Sequence, residues 1–142
     1  MAMGKCNCGA VQVEIKGGLT DKMLSLCHCT SCRASTGSIF SVNLSVPTSS
    51  LSFPSGEFNL AEYEDKQTDS GNTAVRRFCK TCGSPVETVV RENPDLHYVK
   101  GGLFPPSSLP KPSAQIFTRN WEEWESKVHS DVFCAEGGPP AQ

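Results

Sequence analysis

The sequence predicts a mainly β, single-domain protein with antiparallel sheets. Three observations carry that expectation. Short alternations of apolar and polar residues recur along the 142-residue chain, the period of strands with one buried face. Twelve glycines and ten prolines punctuate these alternations and favour turns over long helices. Seven of the eight cysteines fall into three tight groups, which give a fold of this kind a centre to organise around. The groups are Cys6-Asn7-Cys8-Gly9, Cys27-His28-Cys29-Thr30-Ser31-Cys32 and Cys79-Lys80-Thr81-Cys82-Gly83.

The elements follow in order. Val11, Val13 and Ile15 alternate with Gln12, Glu14 and Lys16, so a strand is expected over 10–16, ended by Gly17-Gly18. Met23 to Cys27 is a short apolar run that leads into the cysteine triplet. Residues 29–36 lose the alternation and read as a helical turn closed by Gly37. Phe40, Val42, Leu44 and Val46 alternate again up to Pro47. Phe58, Leu60 and Tyr63 mark another strand, followed by a polar tip from Glu64 to Asn72. Residues 73–78 and 85–90 flank the third cysteine group as a hairpin whose turn carries two ligands. Leu96 to Lys100 is a strand stopped by Gly101-Gly102, and Ala114 to Thr118 is the last one expected. The four prolines of 105–112 impose an extended loop. Trp121 to Lys127 reads as a short helix, capped by Asn120 and with Glu122 and Glu123 in its first turn. One domain is expected over residues 1–136, with a mobile tail at 137–142.

Thirteen Lys and Arg stand against fifteen Asp and Glu, for a formal charge of −2. The basic residues are scattered, and no stripe of the kind that binds nucleic acid is present in the sequence. No apolar run has the length of a signal segment or a membrane span. The expected setting is therefore the reducing cytoplasm, with neither membrane nor nucleic acid as a partner. There, eight cysteines read as metal ligands or reactive thiols and not as a disulfide framework.

The first and third groups lie about seventy residues apart, and each places two thiols at a tight turn with glycine after the second cysteine. Glycine there permits backbone geometry that turns amide N–H groups toward sulfur. Cys6, Cys8, Cys79 and Cys82 together make a closed four-thiolate zinc site, a structural one coupled to folding. The competing reading is a disulfide or free buried thiols, but a bridge across Cys6-x-Cys8 would be strained.

Cys27, Cys29 and Cys32 leave two readings open. They could bind zinc with an exchangeable fourth ligand, or form a second structural site completed by His28, His97, His129 or Cys134. An iron–sulfur cluster would need a fourth cysteine as well. His28, wedged between two ligands, is expected to orient a ligand sulfur or meet substrate. Three thiolates leave zinc a weak Lewis acid, poorly suited to activating water, yet able to exchange thiolate ligands. A small thiol in the fourth position would stay nucleophilic toward an electrophilic carbon.

The motifs Gly4-Lys5-Cys6-Asn7-Cys8-Gly9-Ala10-Val11, Cys27-His28-Cys29-x-x-Cys32-Arg33 with Gly37, and Arg77-Phe78-Cys79-x-x-Cys82-Gly83-Ser84-Pro85 resemble the glutathione-dependent formaldehyde-activating family. Centromere protein V shares that domain. A weaker match runs through Val99-Lys100-Gly101 to Ile116-Phe117 and Trp124, so the likeness spans about residues 4–125. The resemblance implies a β-tent fold. It implies a structural zinc on Cys6, Cys8, Cys79 and Cys82, and a catalytic zinc on Cys27, Cys29 and Cys32. It further implies a carbon–sulfur lyase, with condensation of formaldehyde and glutathione as the named activity. The alternative is a non-catalytic β-tent zinc module that binds a protein partner. The chain is shorter than the enzymes that give the family its name, and its Pro-rich loop and acidic Trp121–Glu125 segment suit a different pocket.

Of the remaining residues, Arg33 is expected either to neutralise the triplet centre or to make a surface salt bridge. One of Arg76 and Arg77 should point outward and be solvated, and His97 should face solvent. Trp121 and Trp124 are expected to cap a core, and Cys134 to be an incidental thiol.

Overall fold

The computed structural model describes residues 1–138, so the last four residues of the expected tail lie outside the described residues. The chain runs β1 (Ala2–Lys5), β2 (Gln12–Ile15), β3 (Met23–Cys27), α1 (Thr30–Thr36), β4 (Ser41–Pro47), β5 (Leu51–Ser55), β6 (Leu60–Asp65), β7 (Ala74–Cys79), β8 (Pro85–Val90), β9 (Leu96–Lys100), β10 (Ala114–Ile116) and β11 (Phe133–Ala135). The first sheet has the order β1-β2-β5 and the second β11-β10-β3-β4-β9-β8-β7-β6. Pairing is antiparallel except at β10, which runs parallel to both β3 and β11. The mainly β, single-domain fold expected from the alternations is the one observed.

Register divides the large sheet into two unlike faces, because side chains alternate along each strand. One rung joins Leu24, Leu44, Val99, Glu87 and Arg77. Leu44 and Val99 pack with Val13 and Ile15 of the small sheet and with Val11 just before it, all fully buried, and this is the main core. The opposite face carries Cys27 beside Ser41, Asn43 beside Lys100, and Arg76 beside Thr88 and Tyr98. Ser41, Asn43, Lys100, Arg76 and Thr88 are all buried. A sheet covered on both sides thus keeps polar groups inside, on the face that ends at the cysteine triplet.

Several sequence expectations need correction. The strands at 2–5, 51–55 and 133–135 were not anticipated. No helix forms over 121–127; a 3₁₀ turn at Thr118–Asn120 is followed by a single turn closed by Glu125 N–H to Glu122 O. The proposed cap is engaged elsewhere, since Asn120 Nδ2 donates to the His28 carbonyl at 3.1 Å. Without a cap, seven residues cannot offset the cost of nucleating a helix. Arg77 is not solvated: it pairs with the buried Glu87 and lies over the Phe53 ring. His97 likewise turns inward, 2.7 Å from the other Glu87 oxygen. No helix of the described residues is long and apolar enough to cross a membrane.

Candidate metal centres

Two near-identical turns build the four-cysteine centre. In one, Cys6 N–H donates to Val11 O and Gly9 N–H to Cys6 O; in the other, Cys79 N–H donates to Ser84 O and Gly83 N–H to Cys79 O. Gly9 and Gly83 sit at φ +79° and +75°, where only glycine is unstrained. The turns are tied together by Asn7 N–H donating to Ser84 Oγ at 3.0 Å. Cys6 Sγ lies 3.6 Å from Cys8 Sγ, which is 3.7 Å from Cys79 Sγ. A zinc ion with bonds of about 2.3 Å needs sulfurs about 3.8 Å apart at the corners of a tetrahedron. The four sulfurs therefore fit zinc. Val11 N–H donates to Cys6 Sγ and Asn59 Nδ2 to Cys79 Sγ, and the Ser84 hydroxyl and N–H draw the Cys82 thiol down to about 5. These contacts spread the negative charge of four thiolates.

The triplet is assembled by the end of β3 and the start of α1. Cys29 caps the helix, its sulfur accepting from Cys32 N–H at 3.2 Å, and Gly37 closes it at φ +65°. That geometry brings three sulfurs within 4.8 Å of one another. Cys27, Cys29 and Cys32 are only 5, 6 and 7% exposed. They pack against Phe117 and Ile116, and Phe117 holds an uncommon left-handed backbone (φ +56°) to do so.

Among the described residues no fourth cysteine or histidine joins them. His28 is fully buried between the Phe40 and Trp121 rings, with Nε2 at 3.2 Å from Gln115 Nε2 and Nδ1 at 3.4 Å from Glu125. Its ring nitrogens meet Gln115 and Glu125 and not a ligand sulfur, so of its two expected roles the orienting of a sulfur is not seen; its backbone continues β3 and turns the ring to the other face. Burial lowers its pKa against the pull of Glu125. His97 is held by Glu87, and His129 Nε2 meets Pro112 O at 2.8 Å. Cys134 lies in β11 and reaches only Val132 O.

The electrostatics of the two centres differ. Hydrogen bonds from Cys27 and Cys29 hold the Cys32 thiol well below the ordinary thiol range, helped by the charges of Lys100 and Arg76. Hydrogen bonds with Cys29 and Cys32, together with burial, hold the Cys27 thiol up. Lys100 Nζ donates to Ser41 Oγ at 2.9 Å and Asn43 Oδ1 at 2.8 Å, and burial pushes its pKa down to about 8. Arg76 Nε donates to Asp65 at 3.0 Å while Nη1 lies 3.9 Å from Cys32 Sγ. Arg33, expected either at the centre or on the surface, pairs with Glu122 at 2.7 Å and donates to Asn120 O, fastening 120–122 to α1. Trp121 packs on His28, whereas Trp124 is 74% exposed and caps nothing. The charged pair Lys100–Arg76 was missed by sequence reasoning. Its signal was there in the register: polar residues at matching positions on β4, β7, β8 and β9.

A groove of about 900 Å³ begins at Ser41 and Lys100 and extends past Phe40, Phe104 and Lys5. It runs beside the four-cysteine turns and meets the triplet's surroundings through Ser41 and Lys100.

A family model described as glutathione-dependent formaldehyde-activating enzyme matches residues 1–120, which include all three cysteine groups. The chain belongs to this family. A crystal structure of a Rhodobacter sphaeroides protein, a structural-genomics target, matches with a TM-score of 0.56 at 28% identity, over 76% of this chain and 97% of that one. No curated protein matches. Family membership links the chain to glutathione and formaldehyde, and both cysteine clusters that could hold metal lie within the matched span.

Proposed function

We propose that the protein is a zinc-dependent carbon–sulfur lyase acting on the adduct of a small thiol, glutathione or one like it, with formaldehyde or another small electrophile. The observation that carries this reading is the contrast in ligand number. Four sulfurs close one centre, while the other has three buried sulfurs with no fourth cysteine, histidine or carboxylate beside them among the described residues. Zinc on Cys27, Cys29 and Cys32 would supply a fourth position at which a thiol is kept as its nucleophilic thiolate.

The chain's own groups serve that chemistry in distinct ways. Lys100 and Arg76 bring positive charge beside Cys32, which offsets the anionic sulfurs and favours a further thiolate nearby. Phe117 covers the sulfurs and restricts water. The groove has room for a tripeptide-sized thiol, and Lys5 and Lys100 line it. In the forward direction a sulfur–carbon bond forms, the carbonyl double bond becomes single, and the proton lost by the thiol ends on that oxygen. The reverse breaks the carbon–sulfur bond and restores thiol and carbonyl.

Proton-exchange NMR of formaldehyde with glutathione tests the reading. Zinc-loaded protein should accelerate exchange, and Cys29→Ser should abolish the acceleration. Two zincs per chain with no acceleration would remove formaldehyde as the electrophile, and a failure with other small carbonyls would leave a non-catalytic zinc module.

A further inference from the structure

A second, smaller cavity of about 180 Å³ opens beside the triplet, on the polar face of the large sheet. Arg76, Thr88, Lys100, Tyr63 and Ser35 contribute to its walls. Register explains the convergence: Tyr63, Arg76 and Thr88 are direct neighbours across β6, β7 and β8, and Lys100 ends β9. The Thr88 hydroxyl is buried with no hydrogen-bond partner, a state that costs stability unless a ligand relieves it. Lys100 uses two of its three donors on neutral oxygens and forms no salt bridge among the described residues. Arg76 spends Nε on Asp65 and extends Nη1 toward Cys32, so further N–H groups remain for another acceptor.

An ammonium, a guanidinium and a hydroxyl facing one small space make a site for an oxyanion. The volume admits about six water-sized groups, enough for a small organic acid and too little for a tripeptide. Among the residues that line the cavity, Arg77 and Glu87 pair with each other and Arg76 with Asp65, which leaves Lys100 as the cation without a paired carboxylate. A monoanion matches that single charge better than a dianion such as phosphate. Arg76 lines this cavity and places Nη1 within 3.9 Å of Cys32 Sγ, so an anion held here and the triplet share one guanidinium.

We propose that this cavity is a carboxylate subsite, and that the electrophile handled at the triplet is a small aldehyde or ketone with a carboxylate next to its carbonyl carbon. The second half of the proposal rests on the lyase reading; the first does not. The addition balances as for formaldehyde, with the thiol proton ending on the carbonyl oxygen and the carboxylate unchanged.

The test uses glycolate, an unreactive small carboxylate, titrated into zinc-loaded protein and followed by calorimetry and amide chemical shifts, with ethylene glycol as the neutral control. Glycolate should bind and ethylene glycol should not. Lys100→Met and Thr88→Val should each weaken glycolate at least tenfold, whereas glycolate resting on the metal alone would bind both variants normally. Either that result or no binding at tens of millimolar overturns the subsite. Saturating glutathione separates the two sources of a carboxylate. Undiminished glycolate binding assigns the carboxylate to the electrophile; competition assigns it to the thiol and overturns the electrophile half. Protein that binds glycolate yet leaves formaldehyde–glutathione exchange unchanged keeps the subsite while the lyase reading fails for formaldehyde.

Discussion

The two cysteine centres are built from the same ligand atom and differ in almost everything around it. At the four-cysteine centre the ligands come from turns about seventy residues apart in sequence, and backbone N–H groups of the turns share the sulfurs with Asn59 and the Ser84 hydroxyl. Cys6 and Cys79 there belong to the main apolar core, so the centre and the core form as a unit. The triplet sits on the other side of the large sheet, within one short stretch of chain, and is surrounded by charged and hydroxyl side chains. Local ligands close no long loop, so their loss should cost the fold little. Remote ligands close a long one. The contrast teaches that ligand number and ligand spacing are what would separate a centre that holds the chain from one left free to react, the division on which the proposed function rests.

The largest expected effect breaks the first centre. Cys79→Ser should abolish cooperative thermal unfolding, because losing a ligand of a fold-coupled site costs several kcal/mol out of the ~5–15 kcal/mol of a whole domain. Cys29→Ser should keep a cooperative transition and lose one metal per chain together with activity. Equal damage to the melting curve from both variants would refute the division. Graded chelation makes the same comparison without mutation. One equivalent of metal should leave with activity while far-UV circular dichroism holds, and the second should leave with the fold.

A smaller effect compares the two faces of the large sheet. Leu44→Ala on the apolar face should cost about 2–5 kcal/mol in urea unfolding, since the side chain is fully buried in the core. Ser41→Ala on the polar face removes an acceptor from Lys100 and should cost about 1 kcal/mol. Its effect on exchange kinetics should nevertheless exceed that of Leu44→Ala. The reverse order would mean that the polar face is structural.

The two faces also explain what was legible in the sequence. Apart from β5, the strands from Gln12 to Lys100 and the turn closed by Gly37 could be read from an alternation, a short apolar run, a flanking ligand turn or a closing glycine. Both cysteine groupings could be read because ligand spacing is local within each turn. The buried roles of Arg76, Arg77 and His97 could not. Alternation was taken to mean one wet face, whereas here both faces are covered, and the polar residue of each pair goes inside to meet Asp65, Cys32 or Glu87. β11 escaped notice because its parallel pairing with β10 is fixed by distant contacts and not by its own three residues. The helix expected over 121–127 failed for a similar reason: Asn120 and Glu122 are claimed by His28 O and Arg33, partners about ninety positions away.

The smallest effect reads the charge of the triplet from a neighbour. Tyr98 lies on the polar face, and burial raises its pKa, with the negative charge of Cys27 adding to the rise. The unfolded chain therefore gives up this proton first as pH climbs past about 10. Between that point and the folded pKa the native state binds more protons than the unfolded one, so stability falls with rising pH. Tyr98→Phe should flatten that alkaline decline and remove the late phase of the tyrosinate absorbance titration. Metal at the triplet withdraws charge from Cys27 and should move the late phase to lower pH, whereas metal at the four-cysteine centre alone should leave it in place. A late phase indifferent to triplet occupancy would show that Tyr98 senses only burial, and that the sulfur charge is screened from the polar face.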